Sequence, residues 1–239
     1  MRMFLHNFVY GIYPYIALAV LIIGTIIRYD REPYSWRSGS SQLLRRKQLI
    51  VGSVLFHVGV LAIFFGHLIG LLTPIALFDW IGVSHPFKQL VAIGLGGIAG
   101  IMALIGGTML LHRRLLDLRI RATSSVMDTL ILSLLWLQLV LGLGSIFASL
   151  HHLDGAEMVR FMAWAQAIFT FDFNAARYVD DAHWIYQLHI FLGLTIFLLF
   201  PFTRLVHMLS VPVRYFWRPG YQVVRKRNRR VAPVRLSAE

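Results

Sequence analysis

Five long apolar runs limit what this chain can fold into more than any other feature. They cover roughly 11–28, 49–72, 89–111, 126–149 and 184–209, each near or above the roughly 20 residues a helix needs to cross the hydrocarbon core of a bilayer. Lipid offers a backbone N–H or C=O no water to bond, so the runs close their hydrogen bonds internally as helices; strands would show shorter segments of alternating polarity. A soluble domain of 239 residues, 57% of them hydrophobic, has too little interior to hide them. The expected fold is an all-α integral membrane protein, a bundle of five transmembrane helices. Residues 151–183 are too polar for a sixth span. Within them Ala156 to Phe169 reads as a short surface helix whose Trp164 and phenylalanines sit at the headgroups. The first run reads as an uncleaved span, since only Arg2 precedes it, no small-residue cleavage site closes it, and it stops against Arg28, Tyr29 and Asp30.

Charge orients the spans. With connections assigned alternately to two sides, one side collects Arg28, Arg31, Arg37, Arg45, Arg46 and Lys47, then Arg113, Arg114, Arg119 and Arg121, then Arg204 and the basic residues from Arg214 to Arg235. Of the 23 Lys and Arg residues this leaves Arg2, Lys88, Arg160 and Arg177 for the other side, alongside Asp79, Asp154, Glu157, Asp172, Asp180 and Asp181. Basic loops stay cytoplasmic, which puts the N-terminus outside and the C-terminus inside a cell inner (cytoplasmic) membrane. The net charge of +12 would suggest nucleic acid in a soluble protein. Here it belongs to membrane-flanking segments, and the tail RKRNRR at 225–230 reads as a contact for anionic lipid or an acidic cytoplasmic partner, with no nucleic acid implied. Residues 1–221 are read as one transmembrane domain and 222–239 as a basic cytoplasmic tail.

Four of the ten histidines fall inside the spans: His57 and His67 in the second, His189 and His207 in the fifth. An ionisable group at membrane depth is expensive unless something pairs with it or occupies it. The second span runs inside to outside and the fifth the reverse, so His67 is level with His189 and His57 with His207. The separations of 10 and 18 residues correspond to rises of about 15 and 27 Å, an inequality that calls for tilt or a kink; Pro201, between His189 and His207, is placed to supply one. Eighteen residues at about 100° each bring His207 back to the face of His189.

The chain has no cysteine, which excludes disulfides, zinc thiolates, iron–sulfur ligation and c-type haem attachment. Paired imidazoles without thiolates read most naturally as axial ligands of two b-type haems, each imidazole neutral and donating its second ring N–H to a nearby acceptor. Gly52, Gly59 and Gly66 recur every seven residues and Gly66 and Gly70 flank His67; they leave room for a flat macrocycle or for close helix contact. Gly94, Gly96, Gly97, Gly100, Gly106 and Gly107 read as helix-packing positions. His6, His85, His151, His152 and His183 are outer or terminal. At the inner boundary, His112, Arg113 and Arg114 are placed to meet the propionates of the inner haem.

These residues lie within long strings: IYPYIA at 12–17, RYD at 28–30, LFHVGVLAIFFGHLIGLLTP at 55–74, RATSS at 121–125, LILSLL at 130–135, QLHIFLG at 187–193 and FPFTRLVHMLSVPVRY at 200–215. With them the chain closely resembles, through Tyr221, the gamma subunit of membrane-bound respiratory nitrate reductase, a dihaem cytochrome b subunit. The resemblance implies that His67 and His189 hold the outer haem and His57 and His207 the inner one. It implies quinol (menaquinol or ubiquinol) oxidised near the outer haem, with Lys88 in FKQ as the quinol-site lysine and Gly66 beside that pocket. It implies electrons passed to an iron–sulfur beta subunit and on to a molybdenum-containing alpha subunit on the cytoplasmic side. The loop from Gly82 to Pro86 and the long arginine-rich tail depart from the family pattern. Three other readings remain: the same architecture serving a different cytoplasmic reductase; a histidine-containing transporter or proton channel, for which Asp128 is the one modest acidic candidate; and an inert anchor, which does not explain two depth-matched histidine pairs.

Overall fold

The structure is a computed structural model, and it describes residues 1–36, 44–151 and 153–210. Arg37, His152 and the whole basic tail, with Arg214 to Arg235, lie outside the described residues. Among the described residues every regular element is helical.

The chain begins with α1 (Arg2–Asn7), passes through one π-helical turn (Phe8–Ile12) and continues as α2 (Tyr13–Arg31). Pro14 explains the widened turn: it has no N–H to donate and its ring crowds the preceding turn, so the register opens just before it. The second long helix, α3 (Arg46–Leu72), stops at Thr73, which is extended ahead of Pro74. A short α4 (Ile75–Trp80) leads to α5 (His85–Leu116), whose start is set by Ser84 accepting the Phe87 N–H (3.4 Å) and by a proline in the first turn. At the other end Asp117 caps α6 (Leu118–Ala122), and Ser125 caps α7 (Val126–Ser149) through the Asp128 N–H (3.0 Å). The remaining helices are α8 (Ala156–Phe169) and α9 (Trp184–Leu199).

Among the described residues five helices are long and apolar enough to cross a membrane: Met3–Arg31, Arg46–Leu72, His85–Leu116, Val126–Ser149 and Trp184–Phe202. The first three extend beyond their apolar runs, while the fifth ends at Phe202 and not at 209, since hydropathy alone does not set helix ends. The bundle has a basic end, carrying Arg28, Arg113 and Arg204, and an acidic end, where α8 and the 3₁₀ segment Ala175–Val179 pack together.

Neighbours run in a row: α3 against α5, α5 against α7, α7 against α9, and α9 against α2. Small residues set the tightest of these contacts. A Cβ at Gly59 would lie 2.5 Å from the Ala99 carbonyl oxygen and 2.7 Å from the Ala103 nitrogen, and one at Gly106 would reach the backbone of Phe56 and come within 2.6 Å of the Gly52 oxygen. Between two lipid-facing helices such close backbone approach is the main source of van der Waals attraction. The packing role expected of the third span's glycines fits Gly97, Gly100, Gly106 and Gly107, but Gly94 and Gly96 meet nothing within 4 Å and are corrected.

The α8 helix occupies the span expected of it, with one correction. Trp164 is buried, 9% exposed, and its indole N–H donates to the Tyr10 carbonyl at 3.0 Å. With Ala17, Ala165, Ile168 and Val179 it forms a core that ties α8 to the first helix. An indole that finds both an apolar cluster and an acceptor indoors has no reason to lie at the headgroups. Of the two phenylalanines on this helix, Phe169 is exposed, whereas Phe161 is half-buried against that core.

Candidate functional site

On α3 the two histidines lie ten residues apart along an unbroken helix, about 15 Å of rise. Each imidazole is fixed by its own preceding turn: His57 Nδ1 donates to the Ser53 carbonyl at 2.7 Å, with the Ser53 hydroxyl 3.2 Å away, and His67 Nδ1 donates to the Ile63 carbonyl at 2.9 Å. A carbonyl can only accept, so the proton belongs on Nδ1 and Nε2 keeps its lone pair.

The partner histidines come from one stretch of chain that is not one helix. His189 is on α9. At Phe200 the α-helix gives way to a 3₁₀ turn, Phe200–Phe202; Thr203 is extended (φ −120°, ψ 177°), and a second 3₁₀ segment, Arg204–Ser210, carries His207. Pro201 cannot donate to the carbonyl four residues back, which ends the regular ladder. The 18 residues between His189 and His207 are therefore not a helical interval, and the same-face argument built on 100° per residue is corrected. Thr203 restarts the chain by accepting the Leu205 N–H on its hydroxyl (3.3 Å), and His207 Nδ1 donates to the Arg204 carbonyl.

Across the bundle the rings meet in twos. His57 and His207 have ring centroids 6.2 Å apart with planes at 69°; His67 and His189 have centroids 6.2 Å apart with planes at 39°. Two metal–nitrogen bonds of about 2.0–2.1 Å, with about 1.1 Å from each ring centre to its nitrogen, span about 6.2–6.4 Å. Among the described residues no group of three or more His, Cys, Asp or Glu converges. Two donors are too few for a bare zinc or copper ion, but they suit a metal that brings its own four in-plane nitrogens. By donor number and spacing the residues fit haem.

His189 is the exception among the four. The Gln138 side-chain amide on α7 donates to the His189 carbonyl at 3.0 Å and lies 3.3 Å from Nε2, while His189 Nδ1 and Gln138 Oε1 are both buried without a partner. Gly142, one turn further along α7, is needed for this approach: a Cβ there would be 3.0 Å from His189 Cε1. The amide of Gln138 in LLWLQLVLG carried its own signal, since an amide at membrane depth also needs a partner; reading the spans for histidines alone passes over it.

Gly66 has nothing within 4 Å of where a Cβ would stand, and the same holds for Gly70, whereas Gly52 and Gly59 are taken up by α5. The heptad of glycines thus splits into two that pack and one that leaves space beside His67. Lys88 lies in the first turn of α5, 9% exposed, with Nζ 4.2 Å from the Phe78 ring centre and 4.0 Å from Met162 Sδ. Its neighbours Phe78 on α4 and Met162 on α8 had no separate sequence signal, because only the fold brings three elements to one place.

At the basic end, buried Arg113 donates to the Leu44 carbonyl at 2.6 Å. Arg114 Nη1 is 3.8 Å from Asp128, which also lies 3.4 Å from Arg204 Nε. This charged group is joined to the His207 imidazole through the Arg204 carbonyl. The remaining histidines serve other ends. His6 pairs with Asp180 at 2.7 Å, His85 with Asp79 at 3.5 Å, His183 accepts the Ile185 N–H at 3.4 Å, and His112 and His151 are exposed.

Comparison with known proteins gives this arrangement its context. The profile of the family described as "Nitrate reductase gamma subunit" matches residues 6–227. The chain is 48% identical over 228 residues, 95% of its length and 100% of the relative's, to the respiratory nitrate reductase 2 gamma chain of Escherichia coli (strain K12). It is 49% identical over 226 residues, 94% of its length and 99% of the relative's, to the respiratory nitrate reductase 1 gamma chain of the same organism. It is 39% identical over 219 residues, 92% and 97% of the two lengths, to the nitrate reductase gamma chain of Bacillus subtilis (strain 168). Similarity of this order over nearly the full length, on a frame of helices long and apolar enough to cross a membrane, settles the family: this multi-pass membrane chain belongs to the respiratory nitrate reductase gamma subunit family.

Proposed function

We propose that this chain is the quinol-oxidising dihaem cytochrome b subunit of a respiratory nitrate reductase, set in the cell inner membrane with its N-terminus outside and its basic end cytoplasmic. The observation that supports this most is the repeated 6.2 Å separation of His57 from His207 and of His67 from His189, at two levels of one bundle. Bound there, two b-type haems would supply one-electron carriers at two depths.

The chain's own residues do the rest. Ser53, Ile63 and Arg204 carbonyls hold the Nδ1 protons of His57, His67 and His207, which keeps each Nε2 available and each ring in place. Arg113 and Arg114, at the basic end, would supply the cationic partners for the carboxylates of the inner haem. On the acidic side, Lys88 is held between the Phe78 face and the Met162 thioether, where its ammonium group donates to a quinol oxygen; Gly66 leaves the approach to His67 open. Quinol becomes quinone with the loss of two electrons and two protons. The protons leave on the outer side and the electrons move inward, each charge working against about 2.3 kcal/mol per 100 mV of membrane potential. An iron–sulfur subunit and a molybdenum subunit on the cytoplasmic side receive the electrons and reduce nitrate.

A reduced-minus-oxidised spectrum with a pyridine haemochrome assay on the purified chain tests the reading. Two b-type haems per chain are expected, and none in a folded, haem-supplied preparation rejects it. Lys88→Ala should keep both haems while slowing quinol oxidation. Unchanged turnover across quinol concentrations would remove Lys88 from the site.

A further inference from the structure

The break at Pro201 is gripped by the first span. On α2, Gly24 and Arg28 are one turn apart. At Gly24 a Cβ would come within 2.9 Å of Pro201 Cγ and 3.0 Å of Pro201 Cβ, so the proline ring is seated against bare backbone. Arg28 Nη1 donates to the carbonyls of Pro201 and Thr203, both at 2.7 Å, two acceptors left over by the interrupted ladder. The guanidinium is itself held from behind, Nε donating to the Ser35 hydroxyl at 3.1 Å and Nη2 to the Ser35 carbonyl at 3.2 Å.

Downstream the consequences run in one direction. Thr203 is extended because its carbonyl is tied to Arg28 and its hydroxyl caps Leu205. Arg204 follows at once, with its side chain toward Asp128 and its carbonyl accepting the His207 Nδ1 proton. The position of the His207 ring is thus set by a contact made 173 residues away in sequence, on a helix that carries no histidine. His189 lies ahead of the break and does not depend on it.

We propose that Gly24 and Arg28 form a seat that positions the imidazole of His207, so that α2 tunes the basic-end haem and not the acidic-end one; both are positioning residues. This inference rests on His207 being an axial ligand. Charge-assisted bonds of the kind Arg28 makes are about twice as strong as neutral ones and directionally strict, and the groups behind a metal-bound histidine commonly set its orientation and the properties of its metal.

The test uses the full-length chain in membranes, supplied with haem, and reads the low-spin ferric electron paramagnetic resonance signal and the redox titration of each haem separately. Arg28→Gln should displace the signal of the basic-end haem and move its one-electron equilibrium by about tenfold, which is about 59 mV, with the other haem unchanged. Arg28→Lys should return both readouts toward the unsubstituted protein. Gly24→Ala, which pushes on the ring without touching a charge, should give the same one-sided change. Unchanged signals in Arg28→Gln and Gly24→Ala overturn the seat, and so does an equal disturbance of both haems. His207→Ala separates the two layers of argument: if it still binds two haems, the ligand assignment fails, and if it loses one haem while the seat variants are silent, only this inference fails.

Discussion

The two levels at which imidazoles face one another are built differently. At the basic end, His57 comes from a straight helix and His207 from a short 3₁₀ segment restarted after Pro201, and both rings are fixed by backbone carbonyls on their own segment. Arg28, Arg114, Asp128 and Arg204 stand around that segment. At the acidic end both histidines come from regular helices, and His67 is fixed as His57 is. His189 leans on another helix through Gln138 and keeps an unpartnered Nδ1. The same contrast runs along α3, where Gly52, Phe56 and Gly59 are buried against α5 while Gly66 and Gly70 face open space. One level is held by charge and backbone; the other is left room beside His67, which agrees with the quinol site proposed there.

The sharpest way to break the comparison is to remove one ring at a time. His57→Ala or His207→Ala should abolish the basic-end haem and leave the other, while His67→Ala or His189→Ala should do the reverse; difference spectra and redox titration check which remains. Loss of the basic-end haem alone from His67→Ala would show that the pairing is wrong. Next in size is Gln138→Ala, expected to weaken haem retention at the acidic-end level by about 10–100-fold with the basic-end level untouched. The rate of haem loss to a scavenging apoprotein measures it, and equal effects on both levels would end the claim that Gln138 acts on His189.

Smaller again is Gly59→Ala, which forces a methyl against the Ala99 and Ala103 backbone and should destabilise the α3–α5 contact by about 1–3 kcal/mol in detergent unfolding. Smallest is Gly66→Ala. With nothing within 4 Å it should change stability by no more than about 0.5 kcal/mol, yet raise the KM for quinol. A Gly66→Ala protein that unfolds as readily as Gly59→Ala would show that both glycines do the same packing work.

Hydrophobicity made the five spans legible because burying a helix in lipid leaves a run of apolar residues no local signal can disguise. It did not locate their ends: Ser84, Ser125 and Thr73 did, through cap bonds and backbone conformation. The four histidines were legible for the complementary reason, that an ionisable group in an apolar run is anomalous wherever it falls. Gln138 was equally anomalous, and its use against His189 waited on the packing of α7 against α9. Trp164 misled because a tryptophan suits an interface and an interior alike, and only the position of the Tyr10 carbonyl decided between them.

The sequence by itself determined the number of spans, the charge asymmetry between their ends and the four imidazoles at two depths, since these depend on residue type and on distance along the chain. Only the tertiary structure decided that the stretch from His189 to His207 is broken at Thr203, that Gly59 packs while Gly66 does not, and that Lys88 lies between Phe78 and Met162. Each of those outcomes depends on which segments come to lie against one another, through contacts ten or more residues apart in sequence. No pattern along one helix carries that information.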